Sequence, residues 1–301
     1  MNDQKTILSI EPDANAEGDF VAIYQDQVIP VFGAIPNEQV LCNLVVNKDS
    51  KNKHSIQAWV SKVITPSPHR ITPPCPFFGN CTGCQWQHID YQYQLQLKRL
   101  FIESCLKNYE NIRRTKVSDT VPSPNLFGYR NHARFSVREK GSLGFVNLVT
   151  KRFVRIEQCL IMNETINKIL NILQLNPVST SQLSIRASSN TDSYLVQPAL
   201  NIDQNLLKTG QKHYIETLKT KTFQVSSPSF FQVNTVQTEK MISVIKNNLE
   251  LNTSDILLDA YSGVGTFPSI LANLVKEVIT LEESKSSTND SVINNLSTTN
   301  L

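Results

Sequence analysis

No window of about 18 apolar residues occurs anywhere in the 301-residue chain, so the sequence offers no membrane-spanning helix. The opening stretch MNDQKTILSIEPDANAEGDF lacks the apolar core of a secretory signal, and the expected location is cytoplasmic. Neither sign of charge dominates: the net charge is +3, which by itself says little about partners. No internal repeat is found. What remains, at 40% hydrophobic and 18% charged residues, has the composition of a globular chain long enough for about two domains. Six cysteines are present, three of them crowded together. In a reducing compartment, crowded cysteines read as ligands of a metal or cluster rather than as a disulfide framework.

Residues 1–65 read as a small β-barrel. The runs FVAIY (20–24), VIPVFGAI (28–35), the stretch around Leu41 and SIQAWVSKVI (55–64) are short, β-branched or aromatic, and separated by polar turns. TPSPHRITPP (65–74) follows as an extended proline-rich connector. Residues 66–90 hold the cysteine-rich loop. A helix is expected after Asp90 as N-cap, with Leu97, Leu100, Phe101 and Cys105 at helical spacing. A β-rich region runs from Tyr129 to Cys159, and residues 91–225 form the expected central α+β domain. A second helix is expected near NTVQTEKMISVIKNNLEL, where Asn234 and Gln237 have capping-box spacing and Ile242, Ile245 and Leu249 share a face. Then ILLDA, YSGVG, TFPSILANLV and VITLE read strand, glycine turn, helix, strand, the opening of an α/β domain over 226–301. The last 18 residues, from Ser284, include twelve Ser, Thr or Asn, whose side chains compete for backbone hydrogen bonds and weaken helices.

Three chemical features stand out. Cys75, Cys81 and Cys84 have the spacing C-x5-C-x2-C, and Cys159, ending the β-rich segment, is the best candidate for a fourth soft ligand. Spacing alone leaves iron–sulfur and zinc both open. In YRNHARFSVRE, period-two alternation puts Arg130, His132, Arg134, Ser136 and Arg138 on one face. Between residues 130 and 155 stand five Arg and two Lys against the single acid Glu139, a concentration suited to a phosphate backbone, though a solvated sheet face reads the same way. Gly263 and Gly265 stand between strand and helix, where backbone can approach a ligand, and Glu282 ends the next strand, placed to accept ribose hydroxyls. The third glycine of the dinucleotide fingerprint is absent, with Phe267 and Pro268 near its place, which favours an adenosine ligand such as S-adenosylmethionine (AdoMet) over NAD.

In this order the motifs SPHRITPPCPFFGNCTGCQWQHIDYQYQLQLK, GYRNHARFSV, SPSFFQVN and LLDAYSGVGTF resemble the RNA (uracil-5-)-methyltransferase family, in particular its ribosomal-RNA branch. The resemblance implies a multidomain α+β architecture: an OB-like TRAM barrel, a central RNA-binding domain and the start of a Rossmann-like AdoMet domain. It also implies a four-iron cluster on Cys75, Cys81, Cys84 and Cys159, with zinc the alternative. AdoMet contacts at Gln232, Tyr261 and Glu282 are implied as well. Arg130, His132, Arg134 and Arg138 would meet ribosomal RNA, or transfer RNA as the alternative, since the tRNA branch generally lacks barrel and cluster. Asn37 stands where the family has the glycine of a PGE motif, and Thr82 where it prefers glycine. Family members methylate uracil by adding a cysteine thiolate to carbon 6, so that carbon 5 becomes nucleophilic, and a Glu base later removes its proton. That Cys and Glu follow a DPPR-G motif, which does not occur in this sequence. No catalytic residue is therefore assigned, and no turnover is expected of the 301 residues. The competing expectation is an inactive RNA-binding iron–sulfur module.

Overall fold

Five short runs of β-branched residues build the first sheet of the computed structural model, which describes residues 5–15, 18–48, 54–138 and 140–295. The strands are β1 (Lys5–Ser9), β2 (Val21–Tyr24), β3 (Gln27–Phe32), β4 (Gln39–Lys48) and β5 (His54–Thr65), in the spatial order β1-β4-β5-β3-β2. The Glu11 N–H donates to the Val21 carbonyl and joins the end of β1 to β2, which draws the sheet round into a barrel. Between β2 and β3, Gln25 and Asp26 both have positive φ (49° and 60°) and make the two-residue hairpin turn whose twist matches its strands. Asn37 also takes φ 65°, so at the glycine position of the family motif stands the non-glycine residue that best tolerates a left-handed backbone. Leu8, Ala22, Ile29, Val31, Val40, Cys42 and Ala58 fill the interior.

The proline-rich connector is pinned to this barrel by charge. Glu38 is 1% exposed, and its carboxylate accepts from Arg70 Nε and Nη2, both at 2.6 Å, from the Ile35 N–H at 2.9 Å and from the Ser67 N–H at 3.0 Å. Helix α1 (Tyr91–Lys107) begins at Asp90, whose side chain accepts from the Tyr93 N–H, as its N-cap role requires. Leu97 is buried, Cys105 is half-buried, and Leu100 faces solvent. His88 is 2% exposed and bonds the Ala34 carbonyl at 3.1 Å.

Burial holds the His88 pKa down to about 4, with Arg70 adding to the shift. A histidine with a depressed folded pKa contributes stability that is fully present above its unfolded value near 6.5 and is lost as pH falls toward 4. Urea unfolding at pH 7 and pH 4.5 checks this. The unaltered chain is expected to lose about 2 kcal/mol more than His88→Gln, which keeps a donor for Ala34 without the titration. Equal losses would remove His88 from the account.

By compactness the chain forms two units: Met1–Pro122 with Val146–Val154, and Ser123–Phe145 with Arg155–Leu301. In the second unit the antiparallel strands β6 (His132–Arg138), β7 (Ser142–Val146), β9 (Gln182–Ala187) and β10 (Tyr194–Gln197) lie in the order β10-β9-β6-β7, and β8 (Phe153–Arg155) intervenes in sequence. Helix α2 (Glu164–Leu175), capped by Asn163, buries Ile166, Ile169, Leu170 and Leu173 and packs on β9. The hairpin β11 (His213–Leu218) and β12 (Lys221–Ser226) contributes Tyr214, Leu218, Phe223 and Val225 to a core shared with Leu195, Phe231 and Val264. Helix α3 (Thr235–Asn248) starts at Asn234, whose side chain accepts from the Gln237 N–H at 3.0 Å. It buries Ile242, whereas Leu249, expected on the same face, is 48% exposed.

The chain then runs β13 (Ile256–Asp259), α4 (Thr266–Leu271) and β14 (Glu277–Thr280), with β13 and β14 parallel. Helix α5 (Lys285–Asn295) follows. This helix corrects the expectation that the Ser/Thr/Asn-rich segment resists helix formation. Its polar side chains find partners on other elements: Asp290 accepts from the Ser226 N–H, Ser226 Oγ and Ser229 Oγ, and Asn294 Nδ2 donates to the Gln224 and Val264 carbonyls. Tertiary hydrogen bonds outweigh low propensity here. The opposite face of the β13–β14 pair leaves Ile256, Leu258, Ile279 and Leu281 exposed. Among the described residues, no helix is long and apolar enough to cross a membrane.

Candidate cofactor and RNA sites

The glycine turn shows what each residue of YSGVG does. Val264 is 1% exposed and points into the core beneath β11 and β12. Gly263 beside it borders open space, and a Cβ built there meets nothing within 4 Å. Its φ of 55° suits glycine. Gly265 serves a different purpose: at φ 81°, a Cβ would collide with Ser291 and Asn295 of α5. Tyr261 is 94% exposed beside the open turn.

Glu282, just past β14, brings its carboxylate back to this turn. Its Oε2 accepts from the Gly263 N–H at 2.8 Å, and its Oε1 from the Ser284 N–H at 2.7 Å. At the end of β13, Asp259 accepts from the Tyr261 N–H through Oδ1, while its buried Oδ2 has no partner among the described residues. Burial raises the Asp259 pKa, and the neighbouring Glu282 charge adds to it. Two carboxylates thus converge at the C-terminal ends of parallel strands, where open α/β sheets bind ligands. An orphaned carboxylate oxygen, an acceptor pair and an uncovered backbone fit a nucleoside that carries positive charge. Gln232 is half-buried in the same unit, its carbonyl accepting from Asn131 Nδ2 at 3.0 Å.

On β6 the alternation holds: Ala133, Phe135 and Val137 are buried, and Arg134 and Arg138 are exposed. The other three members of the row, Arg130, His132 and Ser136, are half-buried. Arg130 Nε donates to the His132 carbonyl at 2.9 Å, and His132 Nε2 bonds Ser184 Oγ at 3.0 Å. Burial first, then the Arg186, Arg130 and Arg134 charges, depress the His132 pKa to about 3. His132 is thus held neutral at physiological pH, and the charge of this face comes from its arginines. Sequence showed the right face, but not the buried Arg186 paired opposite His132 on β9.

In the first unit, Cys75, Cys81 and Cys84 share one loop, and none of the three is joined in a disulfide. Gly79 takes φ 87° in this loop. Burial raises the Cys81 thiol pKa, and Cys84 and Cys75 push it the same way, so the three sulfurs sense one another. The donor set is soft and suits zinc or iron. No group of three or more metal-ligating side chains is drawn into a coordinating arrangement among the described residues. Cys159 belongs to the second unit, where Asn167 bonds both its N–H and its carbonyl. Cys42 is fully buried, and burial lifts its pKa to about 12, which rules it out as a nucleophile at neutral pH.

Residues 200–301 match the family model described as tRNA (Uracil-5-)-methyltransferase. An uncharacterized RNA methyltransferase of Listeria monocytogenes is 27% identical over 321 residues, covering 88% of this chain and 69% of that protein. One from Bacillus anthracis is 28% identical, with 88% and 68% covered. The fold is that of a Pyrococcus abyssi tRNA (uracil-54, C5)-methyltransferase crystallised with S-adenosyl-L-homocysteine: the TM-score is 0.72 at 21% identity, over 97% of this chain and 76% of that one. Over its last third the chain is similar to the tRNA (Uracil-5-)-methyltransferase family model, and over most of its length to RNA methyltransferases, which supports a methyltransferase enzyme.

Proposed function

We propose that the chain belongs to an enzyme that transfers the AdoMet methyl group to carbon 5 of uridine in RNA. The observation that carries this reading is the meeting of two carboxylates at the glycine turn, Asp259 on the Tyr261 N–H and Glu282 on the Gly263 N–H, close enough for the Glu282 charge to raise the Asp259 pKa. Bound there, AdoMet supplies the methyl group. Glu282 would accept the ribose hydroxyls, Tyr261 would cover the adenosine, and Gln232 would contact the cofactor from its own loop. The two carboxylates favour a cationic ligand at this turn over a dinucleotide pyrophosphate, which they would repel. Arg134 and Arg138 present their charge to the RNA backbone, with Arg130 and His132 shaping the end of the same strand.

Ribosomal RNA is the first substrate to test, because the cysteine loop accompanies the barrel. The Pyrococcus tRNA enzyme matches the fold over 97% of the chain, so the barrel alone does not select ribosomal RNA, and transfer RNA is the second reading. Equilibrium dialysis is expected to show AdoMet bound by the full chain, with affinity at least about tenfold weaker in Glu282→Ala. Because no turnover is expected of the 301 residues, binding of ribosomal and transfer RNA with AdoMet present compares the substrates. RNA binding without AdoMet binding would favour the inactive-module reading and end the proposal.

The cysteine loop is proposed to hold a four-iron cluster, with Cys159 completing the set and zinc the competing metal. Iron and sulfide analysis of anaerobically purified protein is expected to give about four irons per chain. Cys81→Ser should lose most of that iron. One stoichiometric zinc in a colourless protein would replace the cluster with a zinc site.

A further inference from the structure

Along β11, buried and half-buried positions alternate, and Glu216 occupies a slot between Tyr214 and Leu218 that packing alone would give to leucine. It is 0% exposed and makes no ion pair among the described residues. Its acceptor capacity is spent on neutral donors instead. Oε1 takes the Ser188 hydroxyl at 2.7 Å and the Thr217 N–H at 3.2 Å. Oε2 takes the Ser189 N–H at 3.2 Å and Asn131 Nδ2 at 3.4 Å. Burial raises its pKa, and these hydrogen bonds pull the other way. A buried carboxylate without a cation costs stability, and such groups persist where they fix something else.

Asn131 is the group it fixes. Asn131 is fully buried where the chain enters β6, and its backbone bonds both the Val233 carbonyl and the Ala187 N–H. Its side-chain NH2 is shared between Glu216 Oε2 and the Gln232 carbonyl. A carboxylate only accepts, so the Asn131 amide has one permitted orientation: nitrogen toward Glu216, with its second hydrogen on Gln232. We infer that Glu216 is a positioning residue that orients Asn131 and, through it, sets the main chain of Gln232 in the cofactor site. The inference rests on the reading of Gln232 as an AdoMet contact.

A double-mutant cycle in AdoMet affinity, measured by calorimetry on the full chain, tests it. Glu216→Gln keeps shape and acceptor for Ser188 but turns a donor toward Asn131, which rotates that amide away from Gln232. Affinity is expected to fall about tenfold in Glu216→Gln and by at least as much in Gln232→Ala. The double variant should bind no more weakly than Gln232→Ala alone, because the first substitution acts only through the second residue. A merely structural role would give additive losses or none, and either outcome overturns the inference. Should Glu216→Gln fail to fold, Ser188→Ala loosens the same carboxylate and enters the same cycle. If the unaltered chain and Gln232→Ala bind AdoMet alike, the cofactor reading of Gln232 has failed and the inference falls with it. Failure of the inference alone leaves the Gln232→Ala loss in place.

Discussion

Replacing Glu38 by alanine is expected to cost about 3–5 kcal/mol of stability, visible as an early urea transition of the barrel. The carboxylate is buried, and its removal strands four donors at once: two from the Arg70 guanidinium and the N–H groups of Ile35 and Ser67. Arg70 Nη2 also holds the Gly33 carbonyl at 2.7 Å, so the guanidinium is built into the turn after β3 and cannot easily swing out to water. Breaking one side of such a pair costs far more than the pair contributes over an apolar substitute. The double variant Glu38→Ala with Arg70→Met should accordingly recover a large part of the loss. A single-variant loss below about 1 kcal/mol would show that water reaches the stranded groups.

Much of this architecture was legible because it rests on local pattern. Alternation of β-branched residues located four of the five barrel strands, Asp90 and Asn234 announced their helices, and YSGVG between two apolar runs announced the parallel pair. What escaped was held together by partners distant in sequence. Strand β1 carries only Thr6, Ile7 and Leu8 as signal, and is a strand because β4 pairs with it. Glu38 and Arg70 lie 32 residues apart, and Asn131 and Glu216 lie 85 apart. The cationic face of β6 was visible, but its charge state was not: Arg186, which lowers the His132 pKa, arrives from another strand. The SPSFFQVN segment stood out only by resemblance, since nothing in its composition discloses that Asn131 holds its carbonyl. The cysteine loop was plain from spacing. Its assembly with Cys159 is a matter for iron analysis.

Helix α5 is where composition misled most, and it supports the second large expected effect. Asp290 is 1% exposed and gathers the Ser226 N–H at 2.8 Å, Ser226 Oγ at 2.7 Å and Ser229 Oγ at 2.6 Å. Arg186, whose Nη2 holds the Ser229 carbonyl at 2.6 Å, senses the same carboxylate charge. Asp290→Ala leaves three donors and a buried guanidinium without their acceptor or counter-charge, a loss of about 3–5 kcal/mol for the second unit. Because α5 has little intrinsic helix propensity, it should fray before the rest of that unit unfolds. Hydrogen exchange is the direct measurement: in Asp290→Ala, amides of 285–295 are expected to lose protection, together with the Gln224 N–H that Asn294 Oδ1 now accepts. Glu282 lies immediately before the helix and Gly265 packs against its last turn, so AdoMet affinity should fall with the protection. Asp290→Asn keeps an acceptor and should fall between the two. Unchanged exchange in the alanine variant would mean that apolar contacts, not this carboxylate, hold the helix against β12.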